Sequence, residues 1–215
     1  MRRTASTLVG LVGLTLVAPI ATARAQETAP APATAPAAGL VARPESERRL
    51  QVGLTLLPMG LGSFTASPGG MSVTADAAFA FGLGLSAGYV VIPGLTVGLA
   101  PQAIFNVKPK EDGGAGAKQY DLMARVAYTV PVVETIAVYA EVLPGYSLIA
   151  PPSGDTAKGF VLAFGAGGAM DLTDRTFANL GVGYQLGFQK RIAEGIASDV
   201  KTKYLRVAFG VGVRF

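Results

Sequence analysis

The sequence predicts an all-β chain, an eight-stranded antiparallel up-and-down transmembrane β-barrel. Three observations carry that expectation. Past residue 47, apolar residues recur at every second position, the period of a strand, and no stretch keeps the helical period of about 3.6 residues. The apolar faces carry no charge, and the opposite faces are glycine and small polar residues, too poor in charge for a surface facing water. Of 215 residues, 50% are hydrophobic, only 15% are charged and 28 are Gly, roughly twice the usual share of glycine.

At the N-terminus, Arg2 and Arg3 precede an apolar run from about Leu8 to Ile20, and Ala23-Arg24-Ala25 forms a small-residue cleavage site. This is the pattern of a signal peptide over residues 1–25, with cleavage before Gln26. The apolar run is shorter than the ~20 residues that a spanning helix needs. Residues 26–47 are rich in Ala and Pro. Prolines at alternate positions favour extended backbone, so a periplasmic linker is expected there. The barrel is assigned to residues 48–215. Of 18 basic residues, Arg2, Arg3 and Arg24 leave with the signal, and 15 remain against 14 acidic ones. The net positive charge is therefore mostly the signal's, and no nucleic-acid partner is expected.

Eight apolar faces follow. The first strand presents Leu50, Val52, Leu54 and Leu56; the second Phe79, Phe81, Leu83, Leu85, Tyr89 and Val91. The third presents Leu95, Val97, Leu99 and Phe105; the fourth Tyr120, Leu122, Val126, Tyr128 and Val130. Ile136, Val138, Val142, Tyr146 and Leu148 mark the fifth, and Phe160, Leu162, Phe164 and Met170 the sixth. The seventh carries Leu180, Val182, Tyr184, Leu186 and Phe188, and the eighth Leu205, Val207, Phe209, Val211, Val213 and Phe215. In a membrane barrel these faces meet lipid, and the small residues fill a narrow lumen. With no Trp in the chain, the aromatic girdles fall to Tyr89, Tyr128 and Phe215 at one rim and to Phe105, Tyr120, Tyr146, Phe160 and Phe188 at the other.

Three connections are short: Ile92-Pro93-Gly94, 131–135 and 172–176. Four longer ones alternate with them: 58–75, 108–119, 150–159 and 189–203. Short periplasmic turns and longer external loops are the layout of outer-membrane barrels, with both termini in the periplasm. In the first long loop, Met59, Leu61, Phe64 and Met71 lie among glycines and are expected over the barrel mouth or in the membrane interface. Lys108, Lys110, Glu111, Asp112 and Lys118 charge the second loop. Lys190, Arg191, Glu194, Asp199, Lys201 and Lys203 charge the fourth loop or hairpin extension. These side chains are expected to meet lipopolysaccharide phosphates or an extracellular partner.

The chain ends on Phe215, with Val213, Val211 and Phe209 at alternate positions before it. This resembles the C-terminal signal that the barrel assembly machinery recognises in bacterial outer-membrane proteins. Gly82–Ala100 and Gly165–Gly187, each a strand, a short turn and a strand, are similar to the small OmpA/OmpX-like outer-membrane β-barrel family, and the likeness spans about 48–215. The resemblance implies a monomer without cofactor in the outer membrane of a Gram-negative bacterium, held in lipid and lipopolysaccharide. It implies a structural, envelope-integrity or surface-adhesion role. The alternative is a narrow porin-like channel for ions or small apolar solutes. Nothing follows the last strand, so the cell-wall-binding domain of some relatives is not expected.

The chain has no Cys and no His, which excludes disulfides, thiolate and imidazole metal sites and Ser-His-Asp chemistry. Catalysis is not expected, since barrel enzymes of the resembling families use a His-containing site. Gly82-x-Gly84-x3-Gly88 and Gly181-x-Gly183-x3-Gly187 keep even spacing, which puts each set on one strand face and not on a phosphate-binding turn. The charges within strands, Arg49, Asp121, Arg125, Glu141, Asp171, Arg206 and Arg214, fall on the inward parity. A turn centred on Val133 would set Arg125 opposite Glu141, so a cross-strand lumen ion pair is predicted, with Asp121 and Arg206 as further members of a lumen charge network. Arg49, Asp171 and Arg214 belong near the periplasmic rim.

Overall fold

The computed structural model describes residues 49–68, 71–193 and 196–215. The expected signal peptide, the linker and Glu194 lie outside the described residues. The strands are β1 (Leu50–Pro68), β2 (Val73–Asp76), β3 (Ala80–Ile92), β4 (Leu95–Val107), β5 (Ala117–Val133), β6 (Ile136–Ala150), β7 (Ala157–Asp171), β8 (Thr176–Ala193) and β9 (Ile196–Arg214). From β3 onward each pairs antiparallel with the next. β1 pairs with β3 on one side and β9 on the other, which closes eight long strands into a ring. The seam reaches the last residue: Phe215 N donates to Leu50 O at 2.9 Å, and Leu50 N donates to Phe215 O at 3.3 Å.

Side chains alternate across this wall. Leu122 is 60% exposed and Val182 55%, whereas Met123, between Leu122 and Ala124, is fully buried. Every predicted apolar face turns outward, and outward aromatics meet across strands: Phe81–Phe105, Phe160–Phe188 and Phe164–Tyr184 have ring centroids 5.3, 6.4 and 6.4 Å apart. The Pro93-Gly94 turn uses a positive φ of 80° at Gly94, which glycine adopts without steric cost.

The first long loop is a strand instead. β1 continues to Pro68 and folds back on β2, with Ser63↔Asp76 to Ala66↔Val73 in register. A bulge between Gly60 and Ser63 shifts the register against β9 and puts Leu61 at φ 44°. The extra residue breaks the alternation set by Leu50–Leu56, and Gly60 and Gly62 then mimic a loop. Gly62 is required there, because a Cβ would collide with the Lys203 carbonyl. Met59, before the bulge, keeps the inward parity of Leu57, while beyond the bulge the parity is reversed and Phe64 packs on the interior; Leu61 and Met71 are exposed. The fourth long loop is also largely strand, paired from Gln189↔Val200 to Ala193↔Ile196.

The lumen is not lined by small residues alone. Leu57, Met59, Ile104, Val107 and Tyr204 form an apolar cluster toward the end with the long loops. Ala100, Met123, Leu143, Val161 and Ala163 form a second. Glycines make room for the larger groups: a Cβ at Gly167 would lie 2.8 Å from the Tyr139 hydroxyl, and one at Gly181 would be closer still. Gly181→Val should therefore destabilise the barrel by about 1–3 kcal/mol through overpacking. Gly113→Val, where nothing lies within 4 Å, should be nearly neutral. Urea unfolding midpoints in lipid vesicles compare the two.

Candidate functional site: the barrel lumen

The charged groups within the wall divide into three separate sites. The first surrounds Asp121 of β5, which is 3% exposed. Gln102 on β4 lies opposite it in register, and Gln185 reaches it from β8 across the lumen. Gln102 Nε2 donates to Asp121 Oδ2 at 2.6 Å and Gln185 Nε2 to the same oxygen at 2.9 Å. Gln119 Nε2 donates to Oδ1 at 2.9 Å, and Gln102 Nε2 also donates to Gln185 Oε1 at 2.8 Å. A buried carboxylate is tolerated only where its lone pairs are satisfied, and these amides satisfy them. The cage ties β4 and β5 to β8, so it braces the barrel across its width. These glutamines share the inward parity, but no spacing in the chain announces that residues 102, 119, 121 and 185 meet.

The second site is Arg125 and Glu141, with Arg125 Nε donating to Glu141 Oε2 at 2.8 Å. The register differs from the expected one. Glu141 faces Ala127, because pairing closes at Val133↔Ile136 with a shift beyond Pro131, so the ion pair runs diagonally. Arg206 on β9 is 6% exposed and lines a cavity of about 40 Å³ with Arg125, Glu141 and Tyr139. That space has room for about three waters. Arg206 Nη1 has no hydrogen-bond partner among the described residues. The four expected members therefore do not form one bonded network: the glutamines hold Asp121, and Arg206 stands apart from the Arg125–Glu141 pair.

The third site is the rim with the short turns. Arg214 Nη1 donates to Asp171 Oδ1 at 2.6 Å, and its guanidinium lies 4.7 Å from the centroid of the Phe177 ring. Arg49 Nη1 donates to the Tyr89 hydroxyl at 3.3 Å. On the outside of the final strand, Phe209, Val211, Val213 and Phe215 are 49, 55, 36 and 64% exposed. Among the described residues, no group of three or more acidic, His or Cys side chains could hold a metal ion.

Glu141 is the carboxylate that the cavity sets against two guanidinium groups. Glu141→Gln should cost about 3 kcal/mol, the usual scale for breaking a buried pair from one side. Arg125→Met combined with Glu141→Leu should recover part of that loss, and a double-mutant cycle by urea unfolding measures the coupling.

The sequence matches the family model described as outer membrane protein beta-barrel domain over residues 19–215. No curated protein matches it. Among solved structures, the Neisserial surface protein A is similar at 18% identity, covering 77% of this chain and 97% of that one, with a TM-score of 0.48. The outer membrane protein OprG from Pseudomonas aeruginosa is similar at 18% identity, 76% and 96% coverage, TM-score 0.49. The outer membrane protease OmpT from Escherichia coli is similar at 9% identity, 78% and 97% coverage, TM-score 0.42. A closed wall with its apolar face outward is what a match across most of the chain requires, and the protein belongs to the outer membrane protein β-barrel domain family and resides in the outer membrane.

Proposed function

We propose that this is a non-catalytic barrel with a structural, envelope-integrity or surface-adhesion role. The observation that carries the reading is the filled lumen. Leu57, Met59, Ile104 and Tyr204, each no more than 2% exposed, stand across the interior toward the long loops, and the Asp121–glutamine cage lies below them. A solute would have to displace packed apolar groups and break charge-assisted hydrogen bonds to pass. The lack of His and Cys supports the absence of catalysis. In this reading the short turns lie in the periplasm, the long loops face outside, and the protein is a monomer. The assembly machinery takes hold of Phe209, Val211, Val213 and Phe215, and any extracellular partner docks on the long loops.

One observation favours a second reading, a narrow channel for ions or small apolar solutes. Among the described residues, Gln119, Gln189, Thr202 and Tyr204 hold buried polar atoms without partners. Such atoms are ordinarily satisfied by water, and a file of waters is a path. Single-channel recording in planar bilayers separates the readings. The structural reading predicts a silent wild type, with current steps gained when Met59→Ala and Tyr204→Ala thin the plug. Steady steps from the wild-type barrel would establish the channel instead.

A further inference from the structure

We propose that the lumen cavity around Arg206 is a binding site for a small monovalent inorganic anion, of the size and charge of chloride, that enters from the end with the short turns. Arg206 of β9 is 6% exposed, and its Nη1 has no partner among the described residues. The cavity of about 40 Å³ that it lines sets two guanidinium groups, Arg125 and Arg206, against one carboxylate, Glu141. Glu141 Oε2 accepts from Arg125 Nε at 2.8 Å, and among the described residues no ion pair joins Glu141 to Arg206. Asp121 is the other acid that faces the lumen away from the rim. The formal charges of the two arginines and two acids balance, but Gln102, Gln119 and Gln185 donate to the Asp121 oxygens, and Met123 stands between Asp121 and Arg125 on β5. Among the described residues, Arg206 is thus the lumen charge that no counter-charge touches.

A guanidinium offers only N–H donors, so an unpartnered one calls for an acceptor, and a buried charge is costly unless it is paired. Thr55, Ser86, Tyr139 and Asn179 also line the cavity. Their hydroxyl and amide groups donate as well as accept, so they complete a shell around an anion held by Arg206. The size of the space sets the class of ligand. A chloride ion takes little more room than a water, so the cavity admits the ion with a water or two, and a larger organic anion does not fit. A divalent anion would leave excess negative charge beside Glu141. The way in follows from the lining. Gln51 and Phe177 border the cavity; Gln51 pairs with Arg214 at the short-turn rim, and the Arg214 guanidinium lies over the Phe177 ring. Toward the long loops, Leu57 and Met59 are buried in the apolar cluster and close the other side. Water alone is the competing occupant. It supplies an acceptor but no charge, and only the ion makes the barrel respond to chloride.

The test uses the full barrel folded in phosphatidylcholine vesicles. Urea unfolding midpoints are read as sodium gluconate is exchanged for sodium chloride at constant ionic strength, so that screening does not change. An ion that binds only the folded barrel stabilises it with the logarithm of its concentration once the site fills. The wild-type midpoint should therefore rise with chloride, and the chloride NMR line should show the excess broadening of an exchanging bound ion. Arg206→Gln should abolish both effects. Glu141→Gln leaves two guanidinium groups in the cavity without an acid. It should bind chloride about ten-fold more tightly and regain in chloride part of the stability it lacks in gluconate. Lys108→Gln with Lys110→Gln should leave the chloride response unchanged. Midpoints that ignore chloride in both the wild type and Glu141→Gln overturn the proposal and leave the cavity to water. A chloride response that survives Arg206→Gln also overturns it, by placing the ion elsewhere. Where Arg206→Gln fails to fold, the Glu141→Gln response decides alone: tighter chloride binding supports the site, and unchanged or weaker binding refutes it.

Discussion

A backbone in hydrocarbon cannot leave an amide or a carbonyl unpaired, since each such group costs several kcal/mol. The pairing of β1 with β9 is what meets that demand here. A sheet of the same strands without that seam would present two open edges to lipid. Closure at eight long strands then sets the width of the interior, which side chains largely fill. The glycines opposite Tyr139 and the bulge at Gly60 are both consequences: the first admits a large inward ring, and the second lets β1 keep its bond to β9 while its upper half turns to pair with β2.

Given that wall, the two faces are under opposite pressures. Outside, lipid favours an unbroken apolar surface, so the high hydrophobic content does not signal a generous soluble core. Away from the rim, two arginines and two acids among the described residues face the lumen, and they are handled in three ways. Asp121 is neutralised by amide dipoles, Arg125 and Glu141 by each other, and Arg206 by the field of a small polar cavity. One apolar cluster fills the interior toward the long loops, and the second, with Met123 between Asp121 and Arg125 on β5, packs between the cage and the cavity.

The outer face was legible in the sequence because lipid contact imposes one rule on every strand, apolar at alternate positions. The inner face was less so. Leu56, Leu57 and Met59 are apolar on both parities, and only the fold shows that Leu57 and Met59 face the lumen. The extent of β1 was hidden because one inserted residue at the bulge reverses the alternation and surrounds it with glycine. Arg125 and Glu141 were recognisable as inward charges, but their register depends on a shift beyond Pro131 that no residue pattern encodes. The Asp121 cage was the least legible, because Gln185 comes from β8 and reaches a carboxylate 64 residues earlier across the lumen. Contacts through a barrel's interior connect strands that are not neighbours in the wall, and pair rules along the chain do not reach them.

Every conclusion about the lumen and its filling rests on which parity faces lipid. The chain has no cysteine, so single cysteines can be introduced along residues 178–188 of β8 and labelled with nitroxides in lipid vesicles. Collisional access to oxygen, which concentrates in hydrocarbon, should alternate with a period of two. The maxima should fall at Leu180, Val182, Tyr184, Leu186 and Phe188, and the minima at Gly181, Gly183, Gln185 and Gly187. Maxima on the glycine and glutamine positions, or no alternation at all, would contradict the account.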